Sequence, residues 1–268
     1  MIDADQLKQQ AIELKLHGIQ AHWHELTQVQ YPWLETLLNW ERQDAANAAN
    51  AGAVCRERQE RKQRSLERRL SHAKLGRFKP LTEFDWQWPD KIDQKAIHAL
   101  MHLDFLTGAN NIILLGGNGV GKSTLAQNLG YQAVMHGHTV LFTTAANMLN
   151  DLAALDSDNA LRRRIKHYAK PALLIIDEVG YLSYSNRHAD LLFEIVNQRY
   201  EQRSTLVTTN RPFAEWNDVF PNAACVVSLV DRLVHHSEII AIEGKSYRMK
   251  EAKEQATERR SRQQGGAQ

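Results

Sequence analysis

Residues 112–123 carry an apolar strand that runs directly into a glycine-rich loop, in the order Ile112-Ile113-Leu114-Leu115-Gly116-Gly117-Asn118-Gly119-Val120-Gly121-Lys122-Ser123. The loop matches the pattern G-x-x-x-x-G-K-[ST] in full, and a helical pattern begins at Lys122. Glycines allow backbone amides to curl around phosphate oxygens without a Cβ in the way, and the helix N-terminus adds a favourable dipole. Motif and context together predict a nucleotide-binding loop rather than a chance glycine-rich turn.

The phosphate loop predicts roles for individual residues. Lys122 is expected to neutralise the β- and γ-phosphates of ATP, and the Ser123 hydroxyl is expected to ligate Mg²⁺. The residues expected to contact the nucleotide are Gly116, Gly117, Asn118, Gly119, Val120, Gly121, Lys122, Ser123 and Thr124.

A second buried strand, residues 172–177, ends in the adjacent carboxylates Asp177 and Glu178. Ligands of open α/β sheets bind at the carboxyl ends of the strands. Asp177 is expected to hold Mg²⁺ through water, and Glu178 to take a proton from the attacking water as general base. A kinase that moves phosphate to a small molecule has no need of Glu178, so the pair favours a hydrolase. A small-molecule kinase and an ATP-dependent scaffold without turnover remain as alternatives.

Two further side chains have open interpretations. Asn210 follows the strand 205–209, where it would orient the water or contact the γ-phosphate, although Asn before Arg-Pro is also typical of an ordinary turn. Arg232 lies on a helical pattern, where it would pair with Asp231 or Glu238 or serve a neighbouring subunit's nucleotide as an arginine finger. The residue pattern alone favours the pair for Arg232.

The pattern around these motifs predicts the fold class. Five short apolar strands alternate with helices between residues 111 and 243, which is typical of a parallel sheet buried between helices. Residues 4–75 have a helical pattern, with an interruption expected at Gly18 and a helix start expected at Pro32. The sequence therefore predicts an α/β domain preceded by a helical one.

The composition of the 268 residues excludes several classes of protein. Hydrophobic residues make up 43% of the chain and charged residues 24%. This composition is typical of a globular protein and excludes a collagen-like or wholly disordered chain. The apolar runs are far shorter than the ~20 residues of a membrane helix, and no signal peptide is evident at the start. Two cysteines exclude a disulfide framework and a zinc cage, so we expect a reducing, cytoplasmic location without membrane partners.

Charge is distributed unevenly along the chain, although the formal net charge is only +2. Residues 1–55 carry a net charge of −4, whereas residues 56–79 carry +7 and residues 245–268 carry +4. Such basic segments indicate a polyanionic partner or, alternatively, the solvated faces of helices.

Taken in order and spacing, the motifs resemble those of the IstB-like ATP-binding proteins. These proteins assist the transposition of insertion sequences and are relatives of the DnaC helicase loaders within the AAA+ ATPases. The resemblance rests on Gly116–Ser123, Leu173–Glu178 with Gly180-Tyr181-Leu182, Arg199-Tyr200-Glu201, Thr208-Thr209-Asn210, Asp231-Arg232-Leu233 with His235, and Glu243-Gly244-Lys245-Ser246-Tyr247-Arg248.

The resemblance implies an AAA+ P-loop NTPase core with a five-stranded parallel sheet of order 5-1-4-3-2. It also implies a small all-α N-terminal domain and no C-terminal lid domain. We expect a helical domain over residues 1–78, an ATPase domain over 79–250 and a charged, disordered tail over 251–268. By position, Asn210 would be sensor 1 and Arg232 an arginine finger that acts in trans, which reverses the preference for a pair at Arg232.

The family resemblance also implies a DNA-binding surface. In this family the segment before the strand that ends in Asp177 and Glu178 faces DNA. In this sequence that segment carries Arg162, Arg163, Arg164 and Lys166. A second candidate surface is the basic helix with Arg61, Arg64 and Arg68, which would bind DNA or pack subunits together. Contacts to phosphates predict salt-sensitive binding to duplex DNA that is largely independent of sequence.

The function implied is that of an ATPase that forms homo-oligomers with ATP and DNA and assists the transposase of the same element. Selection and remodelling of target DNA and stimulation of the transposase are its expected tasks. The alternative is a DnaC-like helicase loader, which would share the same ATPase core and differ in its partner.

Overall fold

The computed structural model describes residues 4–26, 28, 30–181, 184–220, 223–252 and 254, with the backbone alone for 45–58 and 223–224. The chain divides into two compact units, one up to Ser65 and one from Leu66 onwards. The expected boundary after residue 78 stays a prediction. Most of the expected tail, residue 253 and residues 255–268, lies outside the described residues, as does Leu182 of the family motif.

The first unit is helical. Its helices are α1 (Ala4–Glu13), α2 (His17–Ala21) and α3 (Tyr31–Ala73), the last of which continues into the second unit. A small core buries Leu7, Ala11, Leu34 and Leu38. Pro32 stands in the first turn of α3, which confirms the expected helix start.

The break expected at Gly18 comes instead at Lys15, and Gly18 lies inside α2. Lys15 has a φ of 55°, in the left-handed region, and its N–H donates to the carbonyl of Ile12. The N–H of Leu16 donates to the carbonyl of Ala11. These two bonds form a Schellman C-cap, which ends α1 without a glycine and carries no obvious sequence signal.

The second unit contains a five-stranded, all-parallel sheet. Its strands are β1 (Asn111–Gly116), β2 (Val140–Thr144), β3 (Leu173–Val179), β4 (Ser204–Thr209) and β5 (Ser237–Ile242). Their order is β2-β3-β4-β1-β5, which confirms the expected order 5-1-4-3-2 read from the other edge. In β3, Leu174 and Ile176 pack into one core and Leu173 and Ile175 into the other, which explains the continuous apolar run.

Helices of the second unit precede β1 or connect the strands, and they cover both faces of the sheet. They are α4 (Gln94–Leu100), α5 (Asp104–Thr107), α6 (Lys122–Met135), α7 (Ala145–Ala153), α8 (Asp158–Ala169), α9 (Asn186–Arg199), α10 (Trp216–Val219) and α11 (Ala223–Val234). Residues of α4 and α6 belong to one core, and residues of α7, α9 and α11 to the other. None of the described helices combines the length and apolarity needed to cross a membrane.

A buried arginine fixes the amino ends of β3 and β4 to the end of α8. Arg199 is 1% exposed and donates hydrogen bonds to the carbonyls of Ala169 and Pro171, both at 2.8 Å, and to Thr205 Oγ1 at 3.0 Å. Burial lowers the pKa of the Arg199 guanidinium to about 9, so it stays charged at neutral pH. Its acceptors are neutral oxygens, which makes Arg199 a structural cation rather than a member of a surface ion pair.

Candidate nucleotide-binding and catalytic site

A pocket of about 430 Å³ opens at the carboxyl edge of the sheet. Four segments line it: the linker that precedes β1, the phosphate loop with the start of α6, the end of β3, and the segment after β5. Its lining side chains include Phe84, Lys122, Glu178 and Arg248. The parallel sheet therefore brings sequence-distant motifs to one site, as the position of ligands in open α/β sheets requires.

Two glycines of the loop are required by close neighbours as well as by backbone conformation. Gly119 has a φ of 77°, and a Cβ there would stand 2.2 Å from the Ser246 hydroxyl oxygen. Gly121 has a φ of 105°, and its Cβ would meet the Phe84 ring at 2.6 Å. The loop thus requires glycine at both positions, and side chains from both flanking segments rest against it.

Lys122 is a buried cation that bonds to the loop itself. Its ammonium donates to the carbonyl oxygens of Gly116 and Gly117, each at 2.7 Å, and lies 3.5 Å from the Tyr181 hydroxyl. Burial lowers the pKa of Lys122 to about 8, while the nearby carboxylates act in the opposite direction. Its closest partners are neutral, so a phosphate at the loop would supply the missing counter-charge.

Asp177 is held by hydroxyl groups from two different elements. Ser123 Oγ donates to Asp177 Oδ1 at 3.0 Å, and Thr208 Oγ1 donates to the same oxygen. Within the described part of the chain, Asp177 Oδ2 takes no hydrogen bond. Mg²⁺ prefers hydroxyl, carboxylate and water oxygens, so this donor set fits the ion, and Ser123 and Asp177 would hold it.

Glu178 occupies a strained position at the end of β3. Its φ is 62°, and the register of β3 against β4 shifts between Ile176 and Val179. Its N–H donates to Thr208 Oγ1 at 2.9 Å, and the residue lines the pocket. A left-handed residue other than glycine costs about 1–3 kcal/mol and persists where its surroundings hold it, often at functional sites. The bulge brings Glu178 into the pocket beside Asp177.

Asn210 follows β4, one residue beyond Thr209, which pairs with Val179 of β3. Among the described residues, Asn210 Oδ1 is buried without a hydrogen-bond partner. A side-chain amide can accept a hydrogen bond from water or, turned by half a rotation, donate one to a phosphate oxygen. The Asn210 amide is thus available to make the hydrogen bond that a water-orienting or γ-phosphate-sensing residue needs.

Arg232 lies far from the pocket of its own chain. Asn111, the first residue of β1, donates to the carbonyl of Leu233 at 3.1 Å, which places this turn of α11 at the amino edge of the sheet. The Arg232 guanidinium bonds to Asn197 Oδ1 and lies 4.7 Å from the centre of the Phe193 ring. Among the described residues, Arg232 forms no ion pair with Asp231 or with Glu238. The pairing that the residue pattern favoured is therefore not observed.

The basic candidates on α8 divide into two groups. Arg162, Arg163 and Lys166 are exposed and line one open surface depression together with Asn159. Arg164 instead pairs with Asp151 of α7 at 3.4 Å, away from that depression. The opposite face of the helix buries Ile165 and Tyr168, with Leu161 packed beside them, so α8 is amphipathic.

The candidates on α3 are exposed as well. Arg64 pairs with Glu60 one turn earlier at 2.7 Å, and Arg61 and Arg68 also lie on the surface. The structure therefore leaves both basic segments accessible to solvent.

Several residues in or beside the pocket were not assigned roles from the sequence. Thr208 belongs to the Thr-Thr-Asn run, and Tyr181 and Arg248 belong to family motifs, so their positions carried a weak signal. Phe84 carried none, because it belongs to a linker without a spacing pattern and reaches the loop only through the fold.

Comparisons with known proteins agree with this geometry. The family model described as IstB-like ATP binding protein matches residues 9–256. An ATP-binding protein of insertion sequence IS21 from Pseudomonas aeruginosa is 40% identical over 191 residues, which cover 71% of this chain and 72% of that protein. An ATP-binding protein of insertion sequence IS5376 from Geobacillus stearothermophilus is 34% identical over 192 residues, covering 72% and 76%.

Among solved structures, the crystal structure of DnaI superposes with a TM-score of 0.53. Its sequence is 16% identical, and the match covers 61% of this chain and 90% of that one. At this identity the likeness shows the fold alone, which is the AAA+ P-loop core. The extent of the family match and the identity to the insertion-sequence proteins show that the chain belongs to the IstB-like family of ATP-binding proteins.

Proposed function

We propose that this protein is a Mg²⁺-dependent ATPase that assembles on duplex DNA and assists a transposase. The observation that carries the proposal is the bonded group of Ser123, Asp177, Thr208 and Glu178 beside a complete phosphate loop. Family membership and the insertion-sequence relatives support the link to transposition.

The hydrolytic chemistry follows from the side chains in the pocket. Lys122 would leave the loop carbonyls to bind the β- and γ-phosphates, and Ser123 and Asp177 would hold Mg²⁺, which supplies charge neutralisation at the phosphates. Glu178 would accept a proton from water as the oxygen attacks the γ-phosphorus, and ADP would leave. Asn210 would orient that water. A small-molecule kinase would need to keep water out and would have no use for this base.

Assembly and DNA binding complete the proposal. Arg232 lies near the amino ends of the strands, whereas the phosphate loop of its own chain lies at their carboxyl ends. It would therefore act on ATP only in the pocket of a neighbouring subunit. Arg162, Arg163 and Lys166 form an accessible basic surface that would contact DNA phosphates. Lys and Arg contacts to phosphates do not read bases, so we expect little dependence on sequence.

The test is the rate of ATP hydrolysis by the full chain with and without duplex DNA and Mg²⁺. The proposal predicts Mg²⁺-dependent turnover that rises on addition of DNA. Binding of ATP without turnover under all conditions would instead support a scaffold. Pull-down with the transposase of the same element against a replicative helicase would separate the transposition helper from a helicase loader.

A further inference from the structure

The segment after β5 is fastened onto the phosphate loop. The N–H of Tyr247 donates to the carbonyl of Gly119 at 2.9 Å, and the Ser246 side chain occupies the space that a Cβ on Gly119 would take. The carbonyl of Lys245 accepts a hydrogen bond from Trp88 Nε1 at 2.8 Å. Residues 245–247 are therefore held against the loop and against Trp88.

A second set of contacts holds the next turn, where residues 247–252 are helical. Lys250 donates to Asp85 Oδ2 at 2.9 Å and lies over the Trp88 ring, 4.5 Å from its centre. The hydrogen bond with Asp85 raises the pKa of Lys250. Lys79 pairs with Glu251. Arg248 thus lies between two anchored points, at Tyr247 and at Lys250.

Among the described residues, Arg248 is an unpaired cation in the lining of the pocket. It lines the pocket together with Lys122, and it makes no hydrogen bond or ion pair with any described residue. Lys122 and Arg248 therefore contribute positive charge to one pocket. Two neighbouring cations repel each other, and a polyanion between them would remove that repulsion and gain charge-assisted hydrogen bonds.

We propose that Arg248 binds the terminal phosphates of ATP, opposite Lys122, and that the segment 243–252 carries it into the site. The inference rests on the proposed nucleotide site and adds a residue to it. The guanidinium presents a planar fork of donors that suits two phosphate oxygens at once. A lysine at this position would supply the charge without the fork.

The consequence is selectivity for the triphosphate. The loop amides bind phosphates that ADP and ATP share, and Lys122 reaches the shared β-phosphate as well as the γ-phosphate. A cation aimed at the γ-phosphate alone distinguishes ATP from ADP more strongly. A charge-assisted hydrogen-bond pair contributes roughly 1.5–3 kcal/mol, which corresponds to about a 10- to 100-fold change in affinity.

The experiment measures the affinity of the full chain for the non-hydrolysable ATP analogue AMPPCP and for ADP, with Mg²⁺, by calorimetry. Arg248→Ala should lower the affinity for AMPPCP at least tenfold and that for ADP less than threefold, and Arg248→Lys should recover part of the loss. Lys245→Ala removes a charge from the same segment outside the pocket lining and should stay within twofold of the unaltered protein.

Unchanged AMPPCP affinity in Arg248→Ala would overturn the inference, and so would an equal loss for AMPPCP and ADP. Lys122→Ala provides the reference for the site as a whole. If the unaltered protein itself binds neither nucleotide, the proposed nucleotide site fails. If Lys122→Ala loses binding while Arg248→Ala retains it, the site stands and the role of Arg248 alone fails.

Discussion

Ser123 donates a hydrogen bond to Asp177 over 3.0 Å, although 54 residues separate them in the chain. Asp177 belongs to β3, whereas Ser123 lies in the first turn of α6, which the phosphate loop joins to β1. β1 and β3 are not neighbours, because β4 lies between them. Thr208 of β4 bonds to the same carboxylate oxygen and so closes the gap. Side chains of α6, β3 and β4 are therefore joined at one carboxylate oxygen.

The first prediction concerns the proposed base. Glu178→Gln keeps the size and the pocket position of the side chain but cannot accept the proton of the attacking water. The variant should bind ATP and Mg²⁺ as before and lose at least about 100-fold in turnover, the scale that general-base catalysis supplies. Single-turnover hydrolysis and a separate binding titration check this, and normal hydrolysis would place the base elsewhere.

The second prediction concerns Thr208, which is fully buried and serves both carboxylate residues. Thr208→Val keeps the shape, removes the hydroxyl and leaves the N–H of Glu178 unsatisfied, which costs about 1–3 kcal/mol of unfolding free energy. Turnover should fall more than ATP affinity. Thr208→Ser retains the hydroxyl and should restore turnover, and equal effects of both variants would argue against the hydroxyl's role.

Short motifs were predictable from the sequence, but the side-chain contacts between distant motifs were not. Gly116–Ser123 and Asp177-Glu178 are contiguous, so spacing identified them before the fold was known. Thr208 acquires its role only because β4 lies between β1 and β3, and the strand order came from family resemblance rather than from spacing. The pairing of Arg164 with Asp151 depends on how α7 packs beside α8, which one helix's own periodicity does not contain.

The third prediction is a pH dependence. The pKa of Lys122 is lowered to about 8 by burial in the protein without nucleotide, whereas bound phosphate favours the charged ammonium. Affinity for ATP should therefore be fully present below that pKa and fall as the pH rises through it, by about tenfold between about pH 7 and about pH 9. Calorimetry across this range measures the effect.

Lys122→Arg is the control for that titration, since a guanidinium stays charged throughout the range. Its affinity, even if weaker at neutral pH, should vary much less with pH than that of the unaltered protein. An equally steep dependence in this variant would assign the titration to another group.

The fourth prediction tests action between subunits. Arg232→Ala should bind ATP normally and lose hydrolysis, because the phosphate loop of its own chain lies at the other edge of the sheet. Mixing Arg232→Ala with Lys122→Ala should restore part of the turnover, since one variant supplies an intact pocket and the other an intact arginine. Failure of every mixture to exceed the sum of its components would exclude action in trans.

The fifth prediction concerns DNA and uses the division that the structure makes within α8. Arg162, Arg163 and Lys166 share one exposed depression, whereas Arg164 is engaged by Asp151. Arg199 ties the end of α8 to the starts of β3 and β4, whose other ends carry Glu178 and Asn210. DNA bound at the depression would therefore contact a helix that is tied to the two strands carrying Glu178 and Asn210.

Neutralising Arg162, Arg163 and Lys166 together removes about three phosphate contacts, so the slope of log affinity against log salt for duplex DNA should become shallower by roughly 2–3. Stimulation of ATP turnover by DNA should fall in parallel, while ATP affinity without DNA should not change, because the three side chains lie outside the nucleotide pocket. Arg164→Ala should leave the slope within about one unit. If the triple variant keeps both affinity and slope, the same titration on an Arg61, Arg64 and Arg68 triple variant decides whether α3 provides the DNA surface instead.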